Sequence, residues 1–122
     1  MFRFEELTVY QDALDFVDKA YDCARKWPRE ELFGLSDQFK RASTSVALNI
    51  AEGTSRTSKD FCHFLDLARG SCYECLAIAS IAKRRKLIQE KEFMDFSEHL
   101  EKIARKISAL KKSLRSTMND LR

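Results

Sequence analysis

Apolar positions recur with a 3.6-residue period in four separate stretches of the chain, and the gaps between them coincide with its few helix-stopping residues. The first stretch predicts a helix from about Thr8 to Lys26. Tyr10, Ala13, Leu14, Val17, Ala20, Tyr21 and Ala24 share one face, Asp15, Asp18 and Asp22 lie opposite, and Trp27-Pro28 ends it. A short connector carries Leu32, Phe33 and Leu35, too apolar for a solvated loop and expected to fold over the bundle end. Ser36 offers an N-cap for a second helix reaching Glu52, and Gly53 offers the left-handed C′ position that closes it. Thr57 with Asp60 resembles a capping box for a third helix running to about Arg85. The fourth begins near Gln89, and Phe93, Phe96, Leu100, Ile103, Ile107, Leu110 and Leu114 keep an unbroken 3,4 spacing. Short links between long helices force neighbours to run antiparallel, so the pattern predicts an all-α, up-and-down four-helix bundle forming a single domain over residues 1–122.

Two helices carry more than one stripe. On the third, Phe61, Phe64, Leu65, Ala68, Cys72, Cys75, Leu76, Ala79 and Ala82 make an ordinary core face, while Leu67, Ile78 and Ile81 cluster around Gly70, Ser71 and Glu74 on another. A lone bundle would leave that second face in water. Leu67, Gly70, Ser71, Ile78 and Ile81 are therefore expected to form an oligomer interface, the alternative being a wide core or cover by the connector. The first helix shows a milder version in Val9, Phe16 and Cys23 at seven-residue spacing. On the second helix Gln38, Arg41, Ser45, Asn49 and Glu52 form a polar stripe. Arg41, Asn49 and Glu52, with Glu74 across the helix pair, are expected to form a structural polar network, against the alternative of a solvated face.

Composition narrows the class. The 122 residues include three Gly and one Pro, 44% apolar and 34% charged positions, which excludes a disordered tail and a membrane protein. No run approaches the ~18 apolar residues of a membrane span. The opening MFRFEELTVY has no signal-peptide core, and four cysteines without an export signal are expected to be reduced thiols in the cytoplasm.

Catalytic chemistry has no visible machinery. Cys72-Tyr-Glu-Cys75 puts two thiols on one helical face but lacks two further zinc ligands, and it sits mid-helix rather than at the helix N-terminus a redox site requires. There is no second Glu-x-x-His motif for a di-iron centre, no phosphate loop and no nucleophile with a base. No metal, cofactor, small-molecule substrate or membrane partner is expected.

Charge adds one positive indication. Residues 1–37 hold five bases against nine acids, a net of −4, whereas residues 83–122 hold twelve against six, a net of +6. Lys102, Arg105, Lys106 and Lys112 share the face of the last helix opposite its apolar seam, with Lys111 and Arg115 at the border. Such a face is either solvated or a phosphate-binding surface for RNA or DNA. Without stacking aromatics on it, sequence-specific base readout is not expected.

FEELTVYQDAL, WPREELFGLSDQFKRASTSVALNIAEG and FLDLARGSCYE closely resemble the 23S rRNA intervening-sequence proteins, also called the four helix bundle protein family. Asn49-Ile50-Ala51-Glu52-Gly53 followed by Gly70-Ser71 and Glu74 is the specific part. Trp27 departs from the usual Phe before the Pro, and Ala47-Leu48 from an Ile or Val often followed by Pro. The resemblance implies a cytosolic bacterial bundle assembled as a homo-oligomeric ring, a pentamer, with no established enzymatic activity. In architecture it is also similar to the basic, ring-shaped accessory proteins of diversity-generating retroelements, which are thought to engage nucleic acid. Two functions follow as expectations: a nucleic-acid-binding accessory ring, or a protein-protein scaffold with no nucleic-acid role.

Overall fold

The computed structural model describes residues 2–120, and the side chains of residues 2–118. A 3-10 turn at Arg3–Glu6 leads into α1 (Thr8–Ala24), and a second at Arg29–Glu31 precedes α2 (Leu35–Gly53); α3 (Ser58–Arg84) and α4 (Glu90–Asp120) follow. No strand occurs among the described residues. Helices adjacent in sequence pack together, and α4 returns to α1, while the diagonal pairs stay apart. The result is the expected antiparallel four-helix bundle. No described helix is long and apolar enough to cross a membrane.

The core is one continuous cluster. Phe16 of α1, Phe39 of α2 and Phe96 of α4 meet edge to face with centroids 5.6 to 6.1 Å apart, and Trp27 stacks on Phe39 at 5.6 Å. Burying each such ring contributes roughly 1.5–3 kcal/mol. The α4 seam behaves as its spacing predicts: Phe96, Leu100, Ile103 and Ile107 are buried, with Phe93, Leu110 and Leu114 at its edges. In α1 the buried face is rotated from the one expected. Val9, Phe16 and Cys23 are core, while Leu14 and Tyr21 lie exposed at the rim, because the larger Phe16 ring claims the bundle axis.

Several local expectations are corrected. Ser36 caps nothing; the N-cap position falls two residues earlier, at Gly34, and Ser36 is buried within α2. Gly53 is not left-handed, since no glycine has positive φ. It closes α2 against α3 so tightly that an added Cβ would stand 2.6 Å from Phe61 Cδ1 and 2.9 Å from Phe64 Cβ. The left-handed residue is Lys86, at φ 64°. There the Leu87 N–H donates to the Ala82 carbonyl at 2.8 Å and the Lys86 N–H to that of Lys83 at 3.0 Å, the paired bonds of a Schellman closure. Thr57 does cap α3, its hydroxyl accepting from the Asp60 N–H at 3.2 Å. The connector folds down only at Leu35; Phe33 stands 93% exposed.

The two-faced α3 is narrower than its pattern suggests. Ile78 is 4% exposed and Ser71 8%, so both belong to the chain's own interior and neither lies on a free face. Ser71 is covered by α2, its Oγ donating to Ser45 Oγ at 2.9 Å, and Ile78, two turns further along, belongs to the core cluster. Leu67, Gly70, Glu74, Ala77 and Ile81 remain outside, a 3,4-spaced exposed stripe. Space around Gly70 is open, with nothing within 4 Å of an added Cβ.

Candidate nucleic-acid interface

The register of α4 against its two neighbours divides the predicted basic face. Ile103 and Ile107 are fully buried and fix the rotation of the helix. Lys102 and Lys106 consequently lean over α1, where Lys106 Nζ lies 2.6 Å from Asp12 Oδ2 and 3.3 Å from Thr8 Oγ1, and Lys102 Nζ lies 3.6 Å from Asp12 Oδ1. Burial alone would raise the Asp12 carboxyl, but the two ammoniums, Lys106 above all, outweigh it and hold it below the usual carboxylate range. Half of the predicted phosphate-binding set is thus engaged inside the chain. Beside it, His99 Nε2 sits 3.0 Å from the Asp12 carbonyl, its ring edge-on to Phe16; burial and then Lys19 lower its pKa despite that hydrogen bond.

Lys112 lies toward α3 instead, while Arg105 stays on the exposed outer face of α4. Arg105 pairs with Glu101 one turn back, at 2.9 Å. Lys112 makes no ion pair with any described residue and lines a cleft between α3 and α4 together with Arg69, Lys111 and Arg115. The acid there is Asp66, which Lys111 reaches by laying its stem along the seam after Ile107. Arg69 donates to the Tyr73 hydroxyl at 3.1 Å, its guanidinium 5.0 Å from the ring centroid. Four cations around one carboxylate can hold an anion through several charge-assisted hydrogen bonds at once. Sequence reading placed Lys111 and Arg115 only at the border and missed Arg69, which lies some 40 residues away on another helix; only the α3–α4 register brings them together. The basic face of α4 itself carries no aromatic, as expected; the aromatic beside this cleft is Tyr73, on α3.

Of the four residues expected to form a polar network, only Asn49 takes part in one. Asn49 Nδ2 donates to the Ser45 carbonyl and hydroxyl at 2.9 and 3.0 Å, and Ser71 completes the bridge to α3. The charged residues stay out. Arg41 pairs with Asp37 along α2 and Glu52 with Arg56 of the following turn, both in water, since solvated i,i+4 partners cost less than burying a charge; Glu74 makes no ion pair among the described residues. The cysteines are core filler: Cys72 and Cys75 are buried, and burial pushes the Cys72 thiol up to about 12 and Cys75 higher still. Among the described residues no three His, Cys, Asp or Glu side chains cluster to hold a metal.

Fold and site together define a small antiparallel helical bundle with a cationic cleft between its last two helices. The chain belongs to the 23S rRNA-intervening sequence protein family, whose model matches residues 5–109. It is similar to a solved structure of a protein with unknown function from the S23 ribosomal protein family of Bacteroides thetaiotaomicron VPI-5482, with a TM-score of 0.79 and 21% identity over 86% of this chain and 96% of that one. That likeness shows the shared bundle fold. No curated protein matches the chain.

Proposed function

We propose that this protein is a non-enzymatic, cytoplasmic accessory factor that binds RNA or DNA phosphates as a homo-oligomeric ring, with five subunits. The observation that carries the nucleic-acid reading is the α3–α4 cleft, where Arg69, Lys111, Lys112 and Arg115 outnumber Asp66. Arg105, paired with Glu101, is exposed outside this cleft. Lys102 and Lys106 share the single carboxylate of Asp12, so together they keep one net positive charge and contribute less than their sequence positions suggest. Self-association is supported by Leu67, Gly70, Ala77 and Ile81, small and apolar members of an exposed stripe at heptad spacing whose central position is Glu74. Repetition around a ring would multiply the phosphate contacts of a modest monomer charge.

Anisotropy titration of mixed-sequence RNA and DNA at two salt concentrations tests this reading, because each neutralised phosphate releases counterions and makes affinity fall steeply with salt. Lys112→Glu with Arg115→Glu should abolish binding while light scattering shows the parental mass. If the intact parent binds nothing at low salt, the scaffold reading takes over. That second reading has its own support in Phe33, which projects almost wholly into solvent beside exposed Leu32, as a protein-contacting residue would.

A further inference from the structure

The cationic cleft is one end of a longer groove. Immediately along α3 and α4 lies a second, largely apolar cavity of about 270 Å³, lined by Tyr73, Leu76, Leu100 and Ala104, with the Glu101 carboxylate at its rim and Cys72 as its floor. The Arg69–Tyr73 pair joins the two. Arg69 belongs to the cationic cleft, Tyr73 to the apolar cavity, and the guanidinium lies against the phenol ring. Their separation is one helical turn, about 6 Å along the axis, and Ala104 and Ser108 repeat that step on α4. This is the span of one sugar between a phosphate and its own base.

We infer that the groove is a nucleotide subsite for single-stranded nucleic acid, holding a phosphate at Arg69, Lys112 and Arg115 and an unpaired base in the cavity at Tyr73. The inference rests on the phosphate-binding reading above and adds to it the state of the strand. A purine fits the cavity volume. The Arg69 guanidinium covers one face of the Tyr73 ring, and the ring, 61% exposed, offers a base its remaining surface. Leu76, Leu100 and Ala104 provide an apolar wall, and Glu101 supplies an acceptor for ring or exocyclic N–H groups. A duplex cannot use this cavity, since its bases are stacked and paired; it can reach only the cations. The protein should therefore prefer single strands at equal phosphate number, with stacking tolerant of base identity.

The test uses the full-length protein and three fluorescent DNA probes of equal length: a single strand, the same strand with every base removed, and a duplex. Tyr73→Ala is an exposed change, and Ala104→Met fills the cavity from the opposite helix, so the two test one site by independent routes. The parent is expected to bind the intact strand about ten-fold or more above the abasic one. Both variants should bring the intact strand down to the abasic affinity and leave duplex affinity within about two-fold of the parent. Equal affinity of the parent for intact and abasic strands overturns the base subsite while leaving phosphate binding in place. The same conclusion follows if Tyr73→Ala and Ala104→Met, each folded by circular dichroism, keep parental affinity for the intact strand. A parent that binds no probe removes both the subsite and the reading beneath it.

Discussion

Lys106 on α4 and Asp12 on α1 are joined by a 2.6 Å contact between ammonium and carboxylate, and the same carboxylate faces Lys102 at 3.6 Å. One acid therefore ties two of the chain's most conspicuous cations to the bundle. Asp12→Asn should lower stability by about 1–2 kcal/mol, as the loss of a charge-assisted bond at a mostly buried carboxylate requires. In nucleic-acid titrations it should leave affinity unchanged or raise it, because two lysines are released. A variant that is destabilised and also binds more weakly would contradict the division of the basic face.

Lys86 occupies the left-handed position that closes α3, where a Cβ is unfavourable. Lys86→Gly should stabilise the fold by about 0.5–1 kcal/mol, seen as a rise of a few degrees in melting temperature. A fall would mean that the lysine side chain has a role of its own.

Gly53 and Gly70 should respond oppositely to alanine. At Gly53 the new methyl overlaps Phe61 and Phe64, and overpacking of this kind costs roughly 1–3 kcal/mol. Gly70→Ala adds a better helix former in open space and should stabilise an isolated subunit by roughly 0.5–1 kcal/mol. If Gly70 sits within a subunit interface, the same change should weaken assembly, which a dilution series followed by light scattering will read.

Ile78 and Ile81 separate fold from assembly. Ile78→Glu places a carboxylate in the core and should unfold the chain. Ile81→Glu acts on an exposed position and should leave the helical circular dichroism intact while reducing the mass in solution. Unchanged mass for Ile81→Glu would remove the exposed stripe as the subunit contact.

His99 has a pKa below its ordinary 6.5, so below that value the unfolded chain binds more protons than the native one. Stability should therefore decline as pH falls through 6.5. His99→Gln should flatten this part of the pH–melting profile, leaving the acid limb set by carboxylates such as Asp12, whose stabilisation persists above its unfolded pKa and is lost only at lower pH. A parental slope in the variant would assign the effect to other groups.

What the sequence determined by itself was the class of fold and most of its helix limits. Periodicity is a local property, and the seam from Phe96 to Ile107, the Trp27-Pro28 stop and the Thr57 cap each act within a turn or two of their own position. Tertiary structure decided everything that depends on helix rotation and register. The α1 face turned to bury Phe16 because three other helices competed for the same axis. Ile78 joined the core and Ser71 met Ser45 of α2, neither of which a single-helix period reports. Asp12 withdrew Lys102 and Lys106 from the basic face, and Arg69 joined Lys112 and Arg115 across a helix boundary. A charge in a sequence has only a sign and a helix face; whether it stays available depends on which opposite charge the packed neighbours bring within about 4 Å.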